Sequence, residues 1–160
     1  MSLAGLPMTQ LAWVVDDLEH AEKRFSTVHG IALWTRLPDI AFGPDDCTFR
    51  GEPADFVTHI SLAYAGDLQL ELIQPVSGSN LYTEFLDVHG PGLHHACWET
   101  ADLESSVAGL DVVQSGSMAG GEIRFAYVEP GLPSIPFREL VQIGPGMRTF
   151  FTTVQEQSHG

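Results

Sequence analysis

Basic residues are scarce in this chain of 160 residues. Seven lysines and arginines stand against 21 aspartates and glutamates, Lys23 is the one lysine, and the formal net charge is −14 with histidine neutral. A chain this acidic repels phosphate backbones and anionic lipid surfaces, so the sequence predicts neither a nucleic-acid nor a membrane partner. Long apolar runs are also missing: nothing approaches the ~20 residues that span a bilayer. No basic stretch precedes an apolar one at the start, so no signal peptide is predicted. Two cysteines, Cys47 and Cys97, are too few for a disulfide framework and are expected as reduced thiols in a cytoplasmic protein. What is present is core material. Hydrophobic residues make up 44% of the chain, which excludes global disorder.

The sequence repeats itself. Gln10-Leu-Ala-Trp-Val-Val-Asp-Asp-Leu-Glu19 can be laid on His95-Ala-Cys-Trp-Glu-Thr-Ala-Asp-Leu-Glu104, 85 positions on. Trp13 then meets Trp98, and Asp17-Leu18-Glu19 meets Asp102-Leu103-Glu104. Later, Glu71-Leu-Ile-Gln74 lies on Glu139-Leu-Val-Gln142, 68 positions on. Two matches in the same order indicate two copies of one module, the second 17 residues shorter.

Each copy reads as a strand, a helix and three further strands, βαβββ. The opening strands are predicted near Thr9–Val15 and His94–Thr100. Asp17 and Asp102 are expected to cap helices over Leu18–Phe25 and Leu103–Leu110, and Gly30 to close the first. Strands follow near Ala32–Arg36, Val57–Tyr64 and Leu68–Gln74, and near Val112–Gln114, Ile123–Val128 and Phe137–Ile143. Pro38 to Pro53 reads as a long polar loop. A helix over Leu81–Val88 links the copies, and a short one is expected over Arg148–Val154. The fold class is therefore α+β, with a first module at 7–80, a linker helix at 81–92, a second module at 93–145 and a C-terminal helix and tail at 146–160. Helices are expected on one face of each sheet, leaving the other to form a cavity.

Strand side chains alternate between faces. Leu68, Leu70 and Leu72 share an apolar face suited to the helix, which turns Gln69 and Glu71 inward. Polar residues on the predicted inner faces are Gln10, His59, Glu71, His95 and Glu139. Four of them fall in repeat-equivalent pairs, Gln10 with His95 and Glu71 with Glu139, so a pseudo-twofold axis would gather them. A lone strand glutamine is commonly just hydrogen-bonded. An unpaired buried carboxylate is costly, and two at matched positions call for a partner. One amide oxygen, one imidazole and two carboxylates make a divalent-metal ligand set. His94 is the rival of His95 and reads as a supporting residue.

These residues resemble the vicinal oxygen chelate superfamily, also called the glyoxalase/bleomycin resistance/dioxygenase fold. The likeness runs from about Thr9 to Ile143. Its most specific stretches are Leu70-Glu-Leu-Ile-Gln-Pro75 and Phe85-Leu-Asp-Val-His-Gly-Pro-Gly-Leu-His-His-Ala-Cys-Trp98, which look most like methylmalonyl-CoA epimerases. The resemblance implies paired βαβββ modules around a divalent ion (Zn, Ni, Co or Mn) at Gln10, Glu71, His95 and Glu139. The ligand types are closer to zinc-type glyoxalase I than to the epimerases. It implies proton removal beside a carbonyl, in an isomerase or lyase acting on a small carbonyl compound or thioester. Glu139 is then the expected base, Glu71 its symmetric counterpart, and His59 a second acid/base. Tyr127, 68 positions after His59, is expected to orient the substrate. A homodimer is also expected. Coenzyme A and glutathione are anionic and are usually met by arginine or lysine. No cationic cluster is evident, which leaves a neutral or hydrophobic carbonyl compound open. Two rival functions remain: a non-enzymatic small-molecule binding or resistance protein, and an Fe(II) ring-cleaving dioxygenase, which wants two histidines and a carboxylate.

Overall fold

The computed structural model describes Leu3 and residues 5–160. Ten strands form one continuous mixed sheet. In chain order they are β1 (Met8–Val14), β2 (Thr35–Phe42), β3 (Cys47–Phe49), β4 (Glu52–Pro53), β5 (Phe56–Ala65), β6 (Leu68–Ser77), β7 (Gly92–Glu99), β8 (Asp111–Met118), β9 (Ile123–Glu129) and β10 (Phe137–Ile143). The spatial order is β2-β5-β6-β1-β7-β10-β9-β8-β3-β4. The first half, β2-β5-β6-β1, is mirrored in connectivity by β7-β10-β9-β8. The opening strands β1 and β7 meet antiparallel at the centre, and each pairs in parallel with the last strand of its own half. The sheet curls into a half-barrel. Phe42 on β2 reaches Phe125 on β9, edge to face at 5.8 Å between ring centres.

Two helices lie on the outer face. α1 (Leu18–His29) sets Leu18, Ala21 and Phe25 against Trp13 and Leu72. Asp17 caps it by accepting the His20 N–H at 3.0 Å, and Gly30 closes it at φ 66°, a left-handed conformation that favours glycine. α3 (Leu103–Val107) packs Leu103 with Ala96, Ala126 and Leu140 behind the second half. It is capped by Asp102, which accepts from the Ser105 N–H.

The other two helices occupy the inner face, against the expectation that it stays free. α2 (Leu81–His89) pushes Leu81, Tyr82 and Phe85 into the main core. Its cap, Asn80, is fully buried. The Asn80 side chain accepts the Tyr82 and Thr83 N–H groups at 2.7 and 3.0 Å, while the Thr83 hydroxyl accepts the Asn80 N–H at 3.0 Å. α4 (Pro145–His159) lies over the inner side of β5, where Val154 packs with Ile60 and Leu62. It is longer than the sequence suggested. Its start has no cap of its own; the Glu122 carboxylate accepts the Gly146 and Met147 N–H groups from a distant loop, a contact no local pattern reveals.

The expected loop from Pro38 to Pro53 is largely strand. β2 runs through Pro38 with a register shift between Leu37 and Ile40, which proline tolerates because β2 is an edge. β3 then crosses to the other half and pairs with β8, Cys47 opposite Gly116 and Phe49 opposite Gln114. This pairing joins residues 65 to 69 positions apart, so local propensity carries no trace of it. The hairpin and the longer α1 account for the extra length of the first half.

Candidate metal centre

Gln10, Glu71, His95 and Glu139 converge at the centre of the half-barrel, one from each of β1, β6, β7 and β10. All four come from one chain. Ligand atoms of Glu71, His95 and Glu139 lie within 4.8 Å of one another. His95 Nε2 sits 3.0 Å from Glu139 Oε2, 3.6 Å from Glu71 Oε1 and 3.2 Å from Gln10 Oε1. His95 is wholly buried, and Gln10 and Glu139 nearly so.

The amide of Gln10 is held in one orientation. Its Nε2 donates to Gln69 Oε1 at 2.6 Å, and Gln69 Nε2 donates to the Tyr64 hydroxyl at 3.0 Å. This chain turns the Gln10 oxygen toward His95 and makes it available as a ligand. On the far side, His95 Nδ1 lies 2.8 Å from His94 Nδ1. His94 is fully buried among Tyr82, Phe85 and Phe137, and its Nε2 finds no partner among the described residues. Burial, then the neighbouring His95, hold the His94 ring well below the usual histidine range, so it is neutral.

Two β-bulges build this arrangement. On β7 Leu93 faces Trp13 and His95 faces Ala12, leaving His94 as an extra residue; on β1 Met8 faces Trp98 and Gln10 faces Cys97, leaving Thr9 extra. A bulge turns two successive side chains to the same side. The pairs Thr9/Gln10 and His94/His95 therefore both point inward, and the bulges repeat at the same 85-residue offset as the sequence.

The electrostatics are those of two carboxylates sharing a single imidazole. Burial pushes the Glu71 carboxyl up, hydrogen bonding and attraction from His95 pull it back, and Glu139 pushes it up again. Burial alone would depress His95, but the two carboxylates outweigh it and raise the imidazole to about 9. Among the described residues His95 is the one cationic group between these carboxylates. A divalent ion would take over that function, and oxygen donors with one imidazole suit such an ion. The donor set fits a metal.

His59 is not brought to the site. On β5 it is Ile60, Leu62 and Tyr64 that face the cavity. His59 points to the opposite face, where Nδ1 accepts the Asp39 N–H at 3.0 Å. The inward assignment rested on polarity, and it failed because α4 covers the inner face of β5 with apolar side chains. The 68-residue match with Tyr127 fails too. Tyr127 pairs across from Glu139, while the residue across from Glu71 is Leu62. The β9–β10 connection is longer than the tight turn at Gly66-Asp67, which shifts the equivalence by three positions.

Tyr127 does line the cavity beside Glu139. Its hydroxyl shares a 2.6 Å hydrogen bond with that of Tyr82 on α2. Burial first, then the carboxylates, raise both phenols well above their usual range, so both remain neutral donors. Tyr82 carried no sequence signal, because its place depends on where α2 docks. Cys97 also reaches in, its thiol 3.5 Å from Glu139 Oε1.

The curled sheet, the paired modules and the central ligand group define a class, and sequence comparison agrees. Residues 9–127 match the Glyoxalase/Bleomycin resistance protein/Dioxygenase superfamily, and the chain belongs to it. No curated protein matches the chain in sequence. Solved structures show the same fold. The chain is similar to methylmalonyl-CoA epimerase from Mycobacterium tuberculosis, with 19% identity, a TM-score of 0.59, and 89% of this chain and 91% of that one covered. A hypothetical protein from Bacillus halodurans shares 16% identity at a TM-score of 0.58, over 86% and 94% of the two chains. A Streptomyces coelicolor methylmalonyl-CoA epimerase in complex with 2-nitronate-propionyl-CoA shares 16% at 0.56, over 85% and 96%. Among the described residues no helix is long and apolar enough to cross a membrane.

Proposed function

We propose that this protein is a divalent-metal-dependent isomerase or lyase that moves a proton beside a substrate carbonyl. The observation that carries the reading is the pair of carboxylates, Glu139 buried and Glu71 largely so, flanking one imidazole, with an amide oxygen already aimed at the same point. Gln10, Glu71, His95 and Glu139 would hold the ion. Its contribution when bound is to polarise a substrate oxygen and stabilise negative charge there.

The remaining work falls to the chain. Glu139 is the base that takes the proton from the carbon, and Glu71 faces it across the site and can return one to the other side. Tyr127, kept neutral and braced by Tyr82, offers its hydroxyl to orient the substrate. The dioxygenase reading wants a second histidine, and His94 is turned into an aromatic cluster instead.

The test is metal content by mass spectrometry on protein purified without chelator or an affinity metal column. About one equivalent of Zn, Ni, Co or Mn per chain is expected, with deuterium uptake into a carbonyl substrate that stops when the metal is removed. Protein that holds no metal and takes none up on titration would refute the reading in favour of a binding protein.

A further inference from the structure

The cavity lined by Gln10, Glu71 and Glu139 has a volume of about 260 Å³, just under the range typical for drug-sized ligands, roughly 300–1,000 Å³. Its walls are mostly apolar. Phe42, Phe125 and Ile143 come from the sheet, and Met118 from the end of β8. Met147 and Phe151 come from α4. Apolar walls of this kind reward burial of hydrocarbon.

Positive charge is missing where an anionic tail would need it. Among the described residues Arg148 is the only cation lining the cavity, and it is tied to Glu99 in an ion pair. The other charges on the lining are Asp67, Glu99 and the central carboxylates. The remaining basic side chains lie elsewhere. Arg36 forms a two-pronged pair with Glu22, Arg50 pairs with Glu84, Lys23 with Glu19, and Arg138 donates to the Pro130 carbonyl. Arg124 alternates with the inward-facing Ile123 and Phe125 on β9 and so points outward, and Arg24 sits on α1 on the outer face. A coenzyme A phosphate or a glutathione carboxylate at the mouth would meet acid groups and a chain of net charge −14, an arrangement that slows and weakens association.

We propose that the substrate is a small, uncharged, largely apolar carbonyl compound that enters the cavity whole, rather than a coenzyme A or glutathione adduct held by its anionic tail. This rests on the proton-transfer reading of the same four donors. The step balances without any co-reactant. A carboxylate takes the proton from the carbon next to the carbonyl, and the C–H electron pair becomes a C=C bond as the carbonyl pair moves onto oxygen. A carboxylic acid then returns a proton to carbon and the pairs move back. In deuterated water the carbon gains deuterium.

The experiment uses the full, metal-loaded chain and three probes: 2-hydroxyacetophenone as the neutral ketone, methylmalonyl-CoA, and the glutathione hemithioacetal of methylglyoxal. Binding is read by saturation-transfer NMR and reaction by deuterium uptake. The ketone is expected to bind saturably and to exchange at least 100-fold faster than without metal, while the two anionic probes stay within threefold of that background. Phe151→Glu, and separately Met118→Glu at the end of β8, should weaken ketone binding at least tenfold without changing metal content. Val28→Glu adds the same charge on the exposed outer side of α1 and should change nothing. Exchange of either anionic probe without the ketone would overturn the substrate class and leave the proton-transfer reading standing. Ketone binding that responds to Phe151→Glu, with no exchange of any probe, would support the ligand class and overturn the proton-transfer reading. Ketone binding insensitive to both wall variants would overturn the inference.

Discussion

Replacing Glu71 by glutamine separates a metal ligand from a structural residue. Glutamine keeps the shape and one oxygen but removes the charge. In the metal-free protein the Glu71 carboxylate is disfavoured by burial and by Glu139 and is helped only by His95. Its loss should therefore be nearly neutral, because removing a poorly compensated buried charge offsets the lost ion pair. The melting temperature in chelator is expected within about 3 °C of the parent, in either direction. Metal changes the comparison. A ligand present at a hundred times its Kd stabilises the folded state by about 2.7 kcal/mol. For a chain of this size each kcal/mol is worth roughly 2–4 °C, so the parent should gain about 5–11 °C. If losing one charged ligand raises Kd a hundredfold, the same metal concentration gives about 0.4 kcal/mol, or roughly 1–2 °C. Thermal unfolding followed by circular dichroism, with chelator and with Zn, Ni, Co or Mn in turn, reads both numbers. A variant that melts 10 °C lower in chelator and still shows the full metal shift would refute the reasoning, since Glu71 would then be holding the fold and not the ion.

Other perturbations have equally definite outcomes. His94→Phe should fold, since the ring sits among aromatics and one of its nitrogens is unpartnered, but metal affinity should fall about 10–100-fold because His95 loses the acceptor for its Nδ1–H. Titration against a chromophoric chelator measures this, and unchanged affinity would show that His94 only packs. Gly78→Ala should be strongly destabilising, by about 2–4 kcal/mol in urea unfolding, because Gly78 has φ 84° and a Cβ there would stand 2.2 Å from the Asp55 carbonyl oxygen. Burial raises the Cys47 thiol to about 11, above its unfolded value of about 8.5. The folded protein therefore holds that proton longer, and this contribution to stability is intact below pH ~8.5 and lost as pH climbs through 11. At pH 8 neither thiol of the native protein should react rapidly with a disulfide reagent, and both should react in denaturant.

The positions that could be read from sequence were those fixed by the repeat. Gln10 with His95, and Glu71 with Glu139, sit on the strands nearest the pseudo-twofold axis, where alternation and offset both hold. Legibility declined with distance from that axis. His59 was turned the wrong way because polarity was taken to mark the interior, whereas the inner wall of β5 is apolar and covered by α4. Tyr127 reaches the cavity, but its counterpart is Leu62, since a hairpin of different length changes the offset. The inward turn of His94 depends on a bulge, which inserts a residue without leaving any compositional mark. The pairing of β3 with β8 depends on two distant segments meeting, and neither carries that information alone.

The β3–β4 hairpin has a consequence for how the molecule comes apart. A duplicated protein whose halves merely abut along β1 and β7 would split there, each half surviving as a unit. Here a ribbon spun from the first half is stitched to the outermost strand of the second. Parting at the central seam would also have to tear out that stitch and uncover Cys47, Phe42 and Phe125 together. The two copies are thus bound as a loop is bound by its clasp. Calorimetry should show one unfolding transition, and a chain cut between 80 and 93 should yield no fragment that folds without the other.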